Sequence, residues 1–213
     1  MTTLDENSVM LRAVKRVKVP FVLLNRKAAG IRNSTHFDRR RAALIAVEHL
    51  VALGYRRIAH LLGQLNPSTG IGQYAGYCDA FSAQVLPILP ELVRVFTYTV
   101  AGSAAAMAGL LDNGVAIPLA VFPLTLTAAA GAMMVLHERK VRIPQDTSVI
   151  TVHDGPIAEV MVPHFSTVRM PVEQMGYDGA QSLIELIEGR VTSINRQMSP
   201  LGLLLRRSTA APA

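Results

Sequence analysis

Polar side chains that could bind or transform a small molecule follow several apolar runs of the sequence. His153 and Asp154 come directly after one such run, and a His–Asp pair can act as a general base. Asn25, Gln73 and Thr125 stand near the ends of other runs, and these groups exchange hydrogen bonds better than they move protons. Three interpretations of His153 and Asp154 therefore stay open: a catalytic pair, a polar pair that satisfies a turn, and part of a pocket for a neutral ligand.

The sequence gives little support for a metal or a dinucleotide. Adjacent side chains point apart, so His153 and Asp154 make a poor metal pair, and His164 lies on a separate segment. The glycine-rich stretch GIGQYAG at residues 70–76 has the spacing GxGxxxG and begins about seven residues after its strand, whereas the dinucleotide fingerprint starts at the strand end. We expect no cofactor and no metal.

Short apolar runs alternate with segments of helical period, which predicts a parallel sheet with helices on both faces. In such sheets, ligands bind beyond the carboxyl ends of the strands, where the polar residues above lie. The predicted strands cover residues 19–24, 57–62, 92–98, 119–122, 149–152, 165–169 and 201–205. The predicted helices cover residues 1–18, 39–53, 71–84, 102–111, 127–138 and 171–188, with a short helix or loop at 156–161. Residues 208–213 are small and polar, and we expect them to fray.

The composition is typical of a folded domain from a reducing compartment. Of 213 residues, 50% are hydrophobic and 17% charged, which excludes intrinsic disorder. Cys78 is the only cysteine, which excludes a disulfide scaffold, and we see no secretory signal, so we expect a cytoplasmic protein. The uncharged run 113–137 is long enough to cross a bilayer, but Pro118 and Pro123 interrupt it. We therefore expect no membrane partner.

The net charge of +6 comes from the N-terminal fifth of the chain. Residues 1–41 hold ten Lys and Arg against three Asp and Glu, whereas residues 42–213 hold eleven against twelve. A basic segment attracts nucleic acid, but no run of Lys and Arg here is longer than the three arginines at 39–41. We therefore favour a solvated helix face over a nucleic-acid surface.

Several segments, in order and at compatible spacing, resemble the lactose-repressor (LacI/GalR) family of bacterial transcription regulators. They are VPFVLLNR at residues 19–26, AALIAVEHLVALGYRRIAHL at 42–61, GYCDAF at 76–81, IPQDTSVI at 143–150 and PHFSTVR at 163–169. The resemblance covers about residues 11–212. It implies an effector-binding core like that of periplasmic sugar-binding proteins, with two α/β lobes joined by three crossover strands.

The resemblance implies an α/β, parallel-sheet, three-layer fold with a complete C-terminal lobe and an incomplete N-terminal lobe. On this basis residues 33–162 and 193–213 form the C-terminal lobe, and residues 1–32 and 163–192 are the remnant of the other lobe. We expect the family's helix-turn-helix head to be missing from this chain. Operator DNA is then a partner only through that head.

The resemblance also implies effector contacts at six positions. They are Asn25, Arg26, Gln73, Thr125, His153 and Asp154. Gln73 stands where the family usually has an arginine, and Thr125 with Leu126 stands where it usually has Ser or Asn followed by Asp. His153 and Asp154 take the place of the family's paired acid contacts. These departures indicate an unusual effector or a decayed site.

The resulting hypothesis is a ligand-sensing and dimerisation domain of a LacI-type regulator that closes on a small polar, sugar-like effector. The resemblance implies a homodimer through residues 127–138 and 156–162. With most of one lobe absent, we expect weak or no effector binding by this chain alone and no sequence-specific DNA binding. The alternatives are a periplasmic-type sugar-binding transport protein, which needs a signal peptide, and an α/β enzyme using His153 and Asp154.

Overall fold

The computed structural model describes residues 9–17, 19–63 and 70–212, which form helices α1–α7 and strands β1–β9. The helices are α1 Val9–Val17, α2 Arg39–Ala52, α3 Gly70–Ala83, α4 Val100–Asp112, α5 Leu126–Glu138, α6 Pro156–Val160 and α7 Val172–Ile187, with a 3-10 turn at Pro90–Leu92. The strands are β1 Leu23–Leu24, β2 Ser34–Phe37, β3 Ile58–Gly63, β4 Val93–Phe96, β5 Leu119–Pro123, β6 Thr147–Val152, β7 Ser166–Arg169, β8 Asn195–Met198 and β9 Gly202–Leu204. Part of the predicted helix 1–18 and most of the predicted loop 63–70 lie outside the described residues.

The strands form two sheets, and both are built mainly from parallel pairs. The larger sheet has the order β4-β3-β5-β6-β7-β9, in which only the β7–β9 pair is antiparallel. The smaller sheet has the order β1-β2-β8, and its strands are parallel. This architecture confirms the predicted α/β fold with parallel sheets. It brings the carboxyl ends of several strands to common edges, where a ligand can bind.

The strand pairing differs from the predicted lobe boundaries. Strands β2 and β8, assigned above to the C-terminal lobe, belong to the smaller sheet, in which β2 pairs with both β1 and β8. Strand β7, assigned above to the remnant, pairs with β6 in the larger sheet. The chain therefore passes between the sheets at three places: after β2, after β7 and after β8. At each place the chain leaves a sheet only after the strand that pairs in it: β2, β7 or β8. The predicted boundaries stand just before these strands, and this accounts for the differences.

Two hydrophobic clusters cover the opposite faces of the larger sheet. One contains Ile58 and Phe122 with side chains of α2 and α3, and the other contains Leu61 and Val121 with side chains of α4 and α5. Strands that are buried on both faces carry apolar residues at every position rather than at alternate ones. This pattern explains why β3, β5 and β6 are visible in the sequence and gives the three layers: helices, sheet, helices.

Gly76 lets α2 and α3 approach each other closely. A Cβ atom at this position would lie 2.0 Å from the carbonyl oxygen of Arg40 in α2. The three glycines of the GIGQYAG stretch all lie within α3, which begins at Gly70. Gly76 thus serves helix packing, and the stretch does not form a phosphate-binding turn at the end of β3.

The C-terminal segment is fixed to the larger sheet rather than frayed. Ser208 is fully buried, and its hydroxyl donates to the carbonyl of Val149 at 2.6 Å and accepts from the backbone N–H of Ser166 at 2.8 Å. The Ser148 hydroxyl donates to the carbonyl of Ala210. These bonds correct the expectation of fraying for residues 208–210, and Ala213 lies outside the described residues. In the part of the chain that the structure covers, no helix has the length and hydrophobicity needed to cross a membrane.

Candidate functional site

Arg39 joins the carboxyl ends of the two sheets. Its Nη2 donates to Oδ1 of Asn25, which follows β1 in the smaller sheet, at 3.0 Å. Its Nη1 lies 3.3 Å from Nε2 of His153, which follows β6 in the larger sheet. Arg39 itself is only 9% exposed. The three residues therefore define a polar centre between the sheets, at the edge where parallel strands bind ligands.

Local structure places each member of this centre. Asp38 caps α2 by accepting from the N–H of Arg41 at 2.9 Å, so Arg39 is the first residue of the helix that follows β2. Asn25 and His153 have left-handed backbone conformations, with φ of 59° and 80°. Their N–H groups donate to Thr35 and Val168, the neighbouring strands' carbonyls. The strand ends are thus held while the chain turns sharply, as is typical of binding sites.

The electrostatics of the centre keep His153 neutral. Burial, and secondarily the adjacent positive charge of Arg39, together lower the pKa of His153 to about 3. A guanidinium only donates hydrogen bonds, so Nε2 of His153 accepts and its proton resides on Nδ1. Burial and the nearby Arg26 lower the pKa of Arg39 to about 10, which still leaves it charged at neutral pH.

Asp154 has a different set of partners from His153. Its carboxylate forms a bidentate ion pair with Arg206, at 2.7 and 3.1 Å, and accepts from the hydroxyl of Thr167 at 3.1 Å. Burial alone would raise the pKa of Asp154, but these hydrogen bonds outweigh it and lower the pKa. His153 and Asp154 thus do not form a general-base dyad: the imidazole has too low a pKa to accept a proton at neutral pH, and the carboxylate is engaged elsewhere.

The remaining predicted residues occupy separate places around the centre. Arg26 is half-buried beside Asn25 and lies close enough to Arg39 to lower its pKa. Gln73 is fully buried in α3, where its Nε2 donates to the carbonyl of Leu124 and its Oε1 has no partner in the described part of the chain. Thr125 caps α5 through the N–H of Ala128. The structure thus brings together Asn25 and His153, with Arg26 next to them.

Sequence reasoning missed Arg39 and Arg206, the two arginines on which the arrangement depends. Arg39 was interpreted as one of three solvated arginines, yet Arg40 pairs with Asp79 at the surface and Arg41 is exposed. The available signal was the Asp38 cap: a helix that starts directly after a strand turns its first residue toward the strand ends. That signal can be used only if β2 is recognised as a strand, and the polar sequence of β2 hides the strand.

Tyr98 belongs to the same surroundings. A Cβ atom at Gly63, the last residue of β3, would lie 2.4 Å from Cζ of Tyr98, so the tyrosine ring occupies space that only glycine leaves free. Tyr98 is 37% exposed. It lies close enough to Arg39 to raise the pKa of Arg39 slightly. An amphipathic ring beside the polar centre offers the apolar face that a sugar-like ligand requires.

A cleft of about 280 Å³ opens at the polar centre. Its walls come from the ends of β1, β2 and β8 and from the first turns of α2 and α3. The lining residues are Asn25, Lys27, His36, Phe37, Asp38, Arg39, Arg40, Gly72 and Gln197. A larger hollow of about 460 Å³ lies between the end of α5 and the segments preceding β6 and β7, which is the amino edge of the sheet. We place the site in the smaller cleft, because it alone includes strand carboxyl ends.

Within the described residues, no group of three or more His, Cys, Asp and Glu side chains is arranged to hold a metal ion. The arrangement offers neutral donors and acceptors, one buried cation and an aromatic ring. Chemically, it is suited to binding a small polar molecule rather than to transforming one.

Comparison with known proteins agrees with this architecture. Residues 47–209 match the model of the periplasmic binding protein-like domain family. The HTH-type transcriptional regulator AscG of Escherichia coli (strain K12) is 33% identical over 91% of this chain and 57% of its own length. The Lactose operon repressor of the same organism is 27% identical over 98% of this chain and 57% of its own length. The chain thus spans a little more than half the length of these two relatives.

A solved structure shows the same fold. The structure described as a transcriptional regulator CelR-cellobiose complex superposes with a TM-score of 0.88 at 27% identity, covering 96% of this chain and 63% of the other. The protein in that structure carries cellobiose. The relatives named here are transcription regulators, not enzymes.

Proposed function

The chain belongs to the periplasmic binding protein-like domain family and corresponds to the effector-binding core of LacI-type regulators, and from this premise we propose what it binds and how it responds. It binds a small polar, sugar-like effector in the cleft between its two sheets. In the whole protein, a helix-turn-helix head carries the operator contact, and two cores associate as a homodimer. The regulator works in the cytoplasm, where its operator is.

The observation that carries this proposal is the position of Arg39. Its hydrogen bonds reach one residue at the carboxyl edge of each sheet, Asn25 and His153, and both Asn25 and Arg39 line the cleft. A ligand that binds at this point contacts groups from both sheets only when the sheets are close together. It therefore stabilises the closed state relative to the open one, and such differential binding is what a population shift requires. Closure of the cores would then change the spacing between the two helix-turn-helix heads of the dimer. This change in spacing would alter the affinity for the operator.

The properties of His153 argue against the alternative of an α/β enzyme that uses His153 and Asp154. A residue with a pKa of about 3 is neutral at physiological pH, and its Nε2 already accepts from Arg39. A transport protein would share the fold, but the relatives named above are transcription regulators. The regulator is the function that both the cleft and the family support.

The test is a titration of the 15N-labelled chain with a panel of neutral and charged mono- and disaccharides that includes cellobiose and lactose, followed by NMR. We expect weak but saturable shifts at the amides of Asn25, Arg39 and His153 and none around the second hollow, near His137 and Arg142. Saturable binding confined to the second hollow, or no saturable binding by any member of the panel up to tens of millimolar, would contradict the proposal.

Asn25→Gly provides the site variant, because glycine keeps the backbone φ of 59° while removing the amide that bonds Arg39. Lys140→Gly is the matched control, since Lys140 has a φ of 57° at a position outside the cleft. We expect the first variant to weaken effector binding about tenfold, which corresponds to about 1.4 kcal/mol, and the second to leave it unchanged.

A further inference from the structure

Arg39 is a buried cation with neutral partners only. Its two hydrogen bonds go to an amide oxygen and to a neutral imidazole nitrogen. None of the ion pairs found among the described residues includes Arg39, although Arg40 pairs with Asp79 and Arg206 with Asp154. Proteins rarely bury a charge without an opposite one, because removing it from water is costly.

The acids nearest to the cleft do not compensate this charge. Asp38 lines the cleft, but one of its oxygens accepts from the backbone N–H of Arg41 and the other from Gln197 at 2.7 Å. The carboxylate of Asp154 is bound to Arg206 and Thr167. Among the residues that line the cleft, no other acid is present. Within the described residues, the guanidinium of Arg39 therefore lacks a counter-charge.

Further cations surround the same cleft. Arg26 is half-buried and near enough to Arg39 to lower its pKa, and Lys27 lines the cleft. The pKa of His36, in the same wall, is lowered by burial and by the charge of Lys27. A cleft that holds several charges of one sign focuses its potential on the space where a ligand binds.

In the part of the chain that the structure describes, the guanidinium also retains donors without an acceptor, and these point to a specific chemistry. Of its five N–H groups, the bonds to Asn25 and His153 use one on each terminal nitrogen, and no other acceptor is found among the described residues. A planar fork of unused N–H donors matches the two oxygens of a carboxylate or phosphate. The N-terminus of α2, which begins at Arg39, adds a favourable dipole for negative charge.

We propose that the effector is anionic and that its carboxylate or phosphate group binds the guanidinium of Arg39 between the two sheets. This inference rests on the proposed function and narrows it, because it names the class of effector that the cleft selects. The anion supplies the counter-charge that the described part of the chain does not, and it does so only when the cleft is occupied. Closure is then driven by ion pairing at the point where both sheets meet.

The experiment compares matched probes by NMR at constant ionic strength and pH 7.5. Glucose is titrated against glucose 6-phosphate and against glucuronate, and inorganic phosphate and acetate are added as the isolated groups. We expect at least one anionic sugar to bind ten or more times tighter than glucose, with saturable shifts at the Arg39 side-chain Nε–H. The two arms show whether phosphate or carboxylate is the preferred group.

Arg39→Gln removes the charge, and Arg41→Gln is the matched control. Both changes alter net charge by the same amount on the same helix, but Arg41 is exposed and does not line the cleft. We expect the first variant to lose the preference for anions and the second to keep it. Arg39→Lys keeps the charge without the planar fork, so it should retain the preference for anions with several-fold weaker binding. If Arg39→Gln fails to fold, Arg39→Lys takes its place as the test variant.

Three outcomes would overturn the inference. If glucose binds as tightly as its anionic partners, or if Arg39→Gln binds anions as well as the unchanged chain, the effector is neutral and the proposed function stands alone. If anions shift exposed arginines and Arg39 alike without saturation, the effect is non-specific. If none of the probes binds the cleft saturably, Arg39 is not an anion site, and the wider sugar panel decides the proposed function.

Discussion

The guanidinium of Arg39 and the imidazole of His153 lie so close together that a positive charge on one disfavours a positive charge on the other. With 3.3 Å between Nε2 and Nη1, protonation of His153 would place two positive charges side by side in a poorly solvated space. Burial and this repulsion together hold the pKa of His153 at about 3. Arg39 stays charged because its pKa falls only to about 10. The positive charge of this pair therefore resides on the arginine.

This arrangement makes folding stability depend on pH in a predictable direction. An unfolded histidine titrates near 6.5, so between about pH 6.5 and pH 3 the unfolded chain binds a proton at position 153 that the folded chain does not. The free energy of unfolding therefore falls as the pH is lowered through this range, by up to about 1.4 kcal/mol per pH unit for one such group. His60, fully buried with a pKa of about 4, contributes in the same direction.

His153→Asn isolates the contribution of His153. Asparagine tolerates the φ of 80°, and its amide oxygen can accept from Arg39, but it does not titrate. We expect urea denaturation at pH 7 and pH 5 to show a smaller loss of stability for this variant than for the unchanged chain. His137→Asn, at an exposed position, is the control. An equal loss in the unchanged chain and in His153→Asn would show that His153 is protonated without penalty in the folded state.

The residues of the site divide according to what a sequence can reveal. Asn25 and His153 were predictable, because each directly follows an apolar run that must be a strand. Arg39 was not, since its neighbours Arg40 and Arg41 are surface residues and nothing in the triplet distinguishes the buried member. Asp154 was placed correctly at a strand end, but its partner Arg206 is 52 residues away in sequence. Such pairing depends on tertiary structure.

At the scale of elements, α2 and α3 pack closely because of one residue. Gly76 faces the carbonyl oxygen of Arg40, and a Cβ atom would lie 2.0 Å from it. No rotation of a side chain can relieve a contact with backbone, so the two helices would have to separate. Tyr77, the next residue, is buried between them and the sheet, and its hydroxyl donates to the carbonyl of Ile58 at 2.9 Å.

Gly76→Ala is therefore expected to destabilise the fold by about 1–3 kcal/mol, the range of an overpacked core. Gly109→Ala is the matched control: it makes the same change inside another helix, α4, but its Cβ would meet no atom within 4 Å. That variant should gain about 0.5–1 kcal/mol from helix propensity. Urea denaturation measures both. Equal effects of the two substitutions would mean that α2 and α3 can move apart at little cost.

The predictability of the elements depended on how each strand is buried. Strands β3, β5 and β6 are fully buried, so they carry no Asp, Glu, Lys or Arg and contain apolar runs by which they can be recognised. Strand β2, with the sequence STHF, is fully buried yet mostly polar, and β8, with the sequence NRQM, is mostly exposed. Neither shows a hydrophobic period. They are strands because they pair with each other, and β2 also with β1, which is a non-local cause.

The whole molecule exposes apolar surface at the segments proposed for dimerisation. Val160 is 73% exposed, Val162 is 85% exposed and Met134, in α5, is 49% exposed. Contiguous apolar surface on a soluble protein is typical of an interaction site, although single exposed residues are common. These residues lie on α5 and around α6 and do not line the cleft, so association need not block the effector.

Val160→Glu tests the dimer at the centre of this surface. A carboxylate buried in an apolar interface, and repeated by two-fold symmetry, opposes association through desolvation and like-charge repulsion. We expect the unchanged chain to sediment at twice its own mass in analytical ultracentrifugation and the variant to sediment as a monomer with similar thermal stability. Val172→Glu, at a 59% exposed position on α7, is the control and should leave the dimer intact. Two results would contradict the assignment: a dimer that survives Val160→Glu, or one lost in Val172→Glu instead. Either would place the interface on another face of the fold.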